Sequence, residues 1–151
     1  MGLAQGDKAP AFSLPASGGR TLSSAALLGK PYVLYFYPKA DTSGCTKEAL
    51  AFQEHLAQFA AKGAEIIGVS RDPLKALDKF AQKYTLTFPL ASDEAGALTE
   101  AYGVWIEKSM YGRKYMGIER STYLVGANGT ILRAWPKVKV EGHAEDVLAA
   151  L

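Results

Sequence analysis

The sequence predicts an α/β fold in which a mixed central sheet carries helices on both faces. Two apolar runs, Tyr32 to Tyr37 and Ala64 to Val69, are each followed by a stretch with helical periodicity, which sets up a β-α-β-α alternation. Further on, two β-type runs flank Asn128-Gly129, the strongest short hairpin signal, and add antiparallel strands to the parallel ones. No repeat, low-complexity tract or linker interrupts the chain, and 151 residues suit one domain, 1–151.

Tyr32 to Tyr37 (YVLYFY) is a continuous run of aliphatic and aromatic residues ending at Pro38, a pattern suited to a strand buried on both faces. The polar stretch Asp41-Thr42-Ser43 supplies capping side chains for a helix, in which apolar residues recur at Cys45, Ala49, Phe52, Leu56, Phe59 and Ala60 before Lys62-Gly63 stops it. Ala64 to Val69 (AEIIGV) is the second buried strand. Pro73 then opens a helix carrying Leu74, Leu77, Phe80, Ala81 and Tyr84. Phe88-Pro89-Leu90 predicts a short strand and Ala95 to Tyr102 a short helix. Thr122 to Val125 and Thr130 to Trp135 form the hairpin, and a last helix runs from about His143 to Leu151. The thioredoxin fold has this layout.

Composition excludes several function classes. With 48% apolar and 21% charged residues the chain buries an ordinary core. A net charge of +2 is too slight for a phosphate-neutralising surface, so nucleic acid is not an expected partner. No run approaches the ~18 apolar residues of a membrane span, and the first residues lack the apolar segment of a signal peptide, so a cytoplasmic location is expected. A single cysteine rules out an intrachain disulfide. His55 and His143 are isolated and read as surface or capping residues, so no metal is expected.

A lone cysteine is usually a small buried hydrophobe. Cys45 differs in its neighbourhood. It lies in the first turn of the predicted helix, where unpaired backbone N–H groups and the positive dipole end favour a thiolate. Helical geometry puts it on the core-facing stripe with Ala49, Phe52 and Leu56, so the sulfur points into a pocket at the carboxyl end of a buried strand, where α/β sheets commonly bind small ligands.

Pro38-Lys39-Ala40-Asp41-Thr42-Ser43-Gly44-Cys45 resembles the Pro-x-x-x-Thr-x-x-Cys motif of peroxiredoxins. The resemblance runs along nearly the whole chain. Gly6-Asp7-Lys8-Ala9-Pro10-x-Phe12, Tyr35-Phe36-Tyr37-Pro38, Gly44-Cys45-Thr46-x-Glu48-Ala49, Tyr102-Gly103-Val104-Trp105 and Gly117-Ile118-x-Arg120-Ser121-Thr122 are similar to the bacterioferritin comigratory protein, or peroxiredoxin Q, group. It implies a thioredoxin-like fold and a thiol-dependent hydroperoxide reductase without a cofactor.

By that resemblance Cys45 is the peroxidatic cysteine, Thr42 exchanges a hydrogen bond with the peroxide, and Arg120 completes the catalytic set. Pro38 shields the thiolate, and Gly44 and Glu48 line the pocket, Glu48 holding the guanidinium from one helical turn after Cys45. The chemistry needs more than an ionised thiol. At the ordinary thiol pKa of ~8.5 about 3% is ionised at pH 7, so full ionisation gains at most about 30-fold, near 2 kcal/mol. Fixed donors around the developing charge supply more, about 2.7 to 4 kcal/mol for one well-placed group.

Two departures from the family stand out. Many members of the group place a resolving cysteine five residues after the peroxidatic one, where this chain has Leu50. The resemblance therefore implies a one-cysteine variant acting on hydrogen peroxide or an organic hydroperoxide, with reduction by an external thiol such as thioredoxin, glutaredoxin or glutathione, as a monomer or homodimer. Ser43 replaces a common proline and is expected still to cap the helix. Trp105 to Met116 (WIEKSMYGRKYM) reads as a packed hairpin or loop, with a docking surface as the alternative. Other functions consistent with the sequence are a non-catalytic redox sensor or adaptor that uses oxidation of Cys45, and a structural module with an inert thiol.

Overall fold

The computed structural model describes residues 3–151. Its main sheet has the order β2-β1-β5-β4-β3-β8-β9, built from β1 (Ser13–Ala16), β2 (Arg20–Ser23), β3 (Tyr32–Phe36), β4 (Glu65–Ser70), β5 (Leu90–Ser92), β8 (Ser121–Val125) and β9 (Ile131–Trp135). Strands β3, β4 and β5 are parallel. β8 joins β3 antiparallel, β9 joins β8, and β1 joins both β2 and β5 antiparallel.

Side-chain alternation explains why the central strands are apolar throughout. Val33, Tyr35 and Tyr37 point to one face, where they pack with α2 (Ser43–Glu54), α3 (Leu56–Ala61), α4 (Leu74–Tyr84) and α6 (His143–Ala149). Tyr32, Leu34 and Phe36 point to the other, against α5 (Ala97–Ala101) and the flank of α1 (Ser24–Leu27). Both faces are covered, as the continuous runs predict. At Gly68 a Cβ would lie 2.9 Å from the Tyr35 hydroxyl, so only glycine lets that ring cross β4.

Several elements differ from the sequence reading. The N-terminal hairpin and α1 carry no apolar period, because their strands are four residues long and mostly open to solvent. The helix predicted through Ala60 breaks at His55, whose ring is bound to Gln58 and to Glu145 of α6 at 2.6 and 2.8 Å. The short strand starts at Leu90 rather than Phe88, since Pro89 has no N–H for a ladder.

Residues 105–116 belong to a separate two-stranded hairpin, β6 (Trp105–Met110) and β7 (Arg113–Ile118). Its base is fixed by the Glu119 N–H donating to the Val104 carbonyl at 2.7 Å and by Arg71 stacked 3.5 Å over the Trp105 ring. Its two-residue turn, Tyr111-Gly112, has φ of 52° and 78°, the positive pair that a tight hairpin turn requires. Glycine adopts this freely, whereas a tyrosine held there costs about 1–2 kcal/mol.

Candidate active site

The chain leaves β3 at Tyr37 and crosses to α2 through Pro38–Thr42. Two contacts to distant elements shape this loop. The Ala40 N–H donates to Asp72 at 2.8 Å, and Asp41, at φ 58°, accepts from Lys83 and from the Tyr84 hydroxyl of α4 at 2.8 and 2.7 Å. Those two donors hold the Asp41 carboxyl below the usual range.

Thr42 is the N-cap residue of α2, with the Thr46 N–H donating to its carbonyl at 2.8 Å. Its hydroxyl turns away from the helix and donates to the Lys39 carbonyl at 2.8 Å. The expected side-chain cap is absent at Thr42, because the tight Lys39–Thr42 turn takes its hydroxyl. α2 keeps first-turn N–H groups without a side-chain acceptor, which suits an incoming oxygen.

Cys45 is 2% exposed. Arg120 Nη2 donates to its Sγ at 3.3 Å while Nη1 donates to Glu48 Oε1 at 2.6 Å, so one guanidinium spans both side chains. They meet although 75 residues separate Cys45 from Arg120, because β8 pairs with β3 and sets Ser121 opposite Phe36. Arg120, one residue earlier, then faces the loop beyond β3. A Cβ on Gly44 would come within 3.2 Å of Arg120 Nη2, so Gly44 leaves room for the guanidinium.

Glu48 is 1% exposed, and its Oε2 has no hydrogen-bond partner. Burial pushes its carboxyl up to about 7 against the opposing pull of Arg120. Burial also works against the Arg120 charge, but Glu48 and Cys45 outweigh it and raise the guanidinium overall. The guanidinium is thus the fixed charge of the site and Glu48 its holder. The structure brings Cys45, Arg120, Glu48 and Gly44 together. Thr42 and Pro38 are both exposed.

The reading of the histidines as surface or capping groups holds for His55, which caps the end of α2 and precedes α3, and needs correction for His143. His55 is half-buried and bonded on both ring nitrogens. His143 is 5% exposed, with Nε2 2.7 Å from Thr122 Oγ1 and its ring edge-on to Phe52 and Trp135. It ties the last helix to α2 and to β8, the strand that follows Arg120. No sequence signal marks it, since its burial depends on residues from three other elements.

Burial holds the His143 pKa down to about 4, with Asp146 raising it and Arg120 lowering it. A depressed histidine stabilises the fold above its unfolded value of 6.5, and that contribution is lost as pH falls through about 4. Parent and His143→Asn are therefore expected to differ most above pH 6.5 and to converge near pH 4 in urea denaturation. The pH-dependent part of the gap is at most about 3 kcal/mol. A gap independent of pH would show that the imidazole is not buried neutral.

Comparison with known proteins shows the family of the chain. Residues 5–134 match the AhpC/TSA family. Peroxiredoxin Bcp of Xanthomonas campestris is 50% identical over 145 residues, 95% of this chain and 91% of that protein. Peroxiredoxin Bcp of Bacillus subtilis is 43% identical over 151 residues, 100% of this chain and 96% of that one. Among solved structures, X. campestris peroxiredoxin Q aligns with a TM-score of 0.88 at 49% identity, covering 92% of this chain and 88% of its own. A Cys-to-Ser variant of peroxiredoxin Q from Xylella fastidiosa gives 0.91 at 42%, covering 96% and 92%. Both the thioredoxin-like architecture and the sequence along its length place this chain in the AhpC/TSA family, among the peroxiredoxins of the Bcp or Q group.

Proposed function

We propose that Cys45 is the nucleophile of this thiol-dependent peroxidase and that Arg120, Thr42 and the uncapped start of α2 bind the peroxide. The observation that carries the assignment is the Arg120 guanidinium shared between Cys45 Sγ at 3.3 Å and the buried Glu48 at 2.6 Å. The thiolate attacks one peroxide oxygen, an S–O bond forms and the O–O bond breaks. The other oxygen leaves as hydroxide or alkoxide and takes up a proton, and Cys45 becomes a sulfenic acid. Two external thiols then return it to the thiol, with release of water and a disulfide.

Each neighbour has a definite part in this scheme. The Thr42 hydroxyl proton is committed to Lys39, so its oxygen presents lone pairs and accepts from the peroxide O–H. Arg120 and the first-turn N–H groups donate to the oxygen on which charge develops. Glu48 positions Arg120, Gly44 admits it, and Pro38 screens the approach.

Hydrogen peroxide and organic hydroperoxides are the substrates. The alkyl peroxide reduction activity of the X. campestris bacterioferritin comigratory protein has been studied through trapped intermediate and ligand complexes, which supports the organic class. The reductant is an external thiol, such as thioredoxin, glutaredoxin or glutathione, because Cys45 is the single cysteine. A free sulfenic acid that relies on such thiols suits the reducing cytoplasm, where residues 1–151 act as one domain, as a monomer or homodimer. No helix of the described residues is long and apolar enough to cross a membrane. Peroxide consumption with dithiothreitol, thioredoxin and glutathione run in parallel tests the reading. Catalytic loss of peroxide is expected with at least one. Failure with all three, alongside ready alkylation of Cys45 at neutral pH, would leave a redox sensor instead.

A further inference from the structure

We propose that the β6–β7 hairpin is the docking surface for the protein that reduces oxidised Cys45, and that this partner presents an acidic rim around an apolar centre. The inference rests on the peroxidase reading above and names the partner of that site. Four of the seven large apolar side chains exposed among the described residues, Met110, Tyr111, Tyr115 and Met116, fall within this one hairpin. Tyr111 is 98% exposed at a turn position that disfavours it, so the folded monomer gains nothing from the ring. A large aromatic kept in that position is accounted for by a contact outside the monomer, where tyrosine is a favoured anchor.

Charge indicates what that contact is. Between Trp105 and Ile118 the hairpin carries Lys108, Arg113 and Lys114 against Glu107 alone, a net +2 that equals the charge of the whole chain. A second copy docking symmetrically through this hairpin would set like charges against each other. An acidic partner is attracted by them.

Position identifies the partner's task. β7 runs directly into Glu119 and Arg120, and Arg120 touches Cys45 Sγ. Lys108 lies across Gly117, its Cδ and Cε 3.3 and 3.5 Å from where a Cβ would be. The base is anchored by Arg71 on Trp105, so the hairpin is an arm fixed at the end that leads to Arg120. With Cys45 as the single cysteine, a protein held on this arm is the one whose thiol must reach it.

Two variants test the proposal, Tyr111→Asn, which suits the turn and removes the anchor, and Arg113→Glu with Lys114→Glu, which reverses the charge. Peroxide turnover is measured with thioredoxin and glutaredoxin as protein reductants and with dithiothreitol as the small neutral one. The expected result is a KM for the protein reductant raised about tenfold in either variant, a parent KM that rises with salt, and dithiothreitol-driven rates unchanged. Tyr111→Asn should also melt higher than the parent. An unchanged KM for the protein reductant, or an equal fall with protein and dithiothreitol, overturns the proposal. So does a parent dimer in sedimentation that charge reversal dissolves, or binding to phosphatidylglycerol vesicles lost in the variants while the KM stays fixed. A parent inactive even with dithiothreitol would instead defeat the peroxidase reading itself, and the docking proposal with it.

Discussion

Cys45→Ser is expected to abolish peroxide reduction and to leave the fold intact. Serine is nearly the same size, and its oxygen can still accept from Arg120 Nη2, which lies 3.3 Å from the sulfur. The surrounding cluster of Tyr35, Ala49 and Phe52 keeps its packing. What is lost is the nucleophile, because a hydroxyl barely ionises near neutral pH and is a poor attacker of an O–O bond. Turnover with dithiothreitol and circular dichroism of the same sample check both halves. Residual activity above a few per cent of the parent, in a folded variant, would remove Cys45 from the chemistry.

Arg120→Lys is expected to slow the attack on peroxide by about 100-fold or more, the usual effect of removing one well-placed donor from a developing negative charge. Lysine keeps the positive charge but not the fork. A single ammonium cannot hold the geometry in which one nitrogen meets Cys45 Sγ and another meets Glu48 Oε1. Glu48, already lacking a partner on Oε2, would lose part of its remaining pairing while still buried. Stopped-flow oxidation of the parent and the variant under one equivalent of hydrogen peroxide measures the rate. Alkylation by iodoacetamide, which needs the thiolate but no oxygen-binding donors, should change far less. An unchanged oxidation rate would take Arg120 out of the site.

The sequence made the frame of this molecule legible where burial is two-sided. Tyr32 to Tyr37 and Ala64 to Val69 must be central strands, because no one-sided element tolerates such runs. Asn128-Gly129 marked the β8–β9 hairpin for its turn chemistry alone. The position of Cys45 at a helix start was legible from periodicity, whereas its meeting with Arg120 entered only through family resemblance. That contact depends on β8 pairing with β3, which no local pattern encodes. The Asp41 contacts to Lys83 and Tyr84 and the burial of His143 were hidden for the same reason, being made by side chains distant in sequence. The absent cap at Thr42 shows the converse. A residue type well suited to one local bond made another, to Lys39, three residues away.

Cys45 is expected to be oxidised by peroxide and then to wait for a thiol from outside. Leu50, five residues on, lies about 140° round the helix and is 42% exposed, while Cys45 is buried. No partner on this helix rewards its unwinding. Intact-mass measurement after one equivalent of hydrogen peroxide, without added thiol, checks this fate of the thiol. A monomer-mass chain carrying one added oxygen, removed by dithiothreitol and driven on to the sulfinic and sulfonic acids by excess peroxide, is the predicted result. Prompt formation of a disulfide-linked dimer would contradict it, showing that a second subunit resolves Cys45.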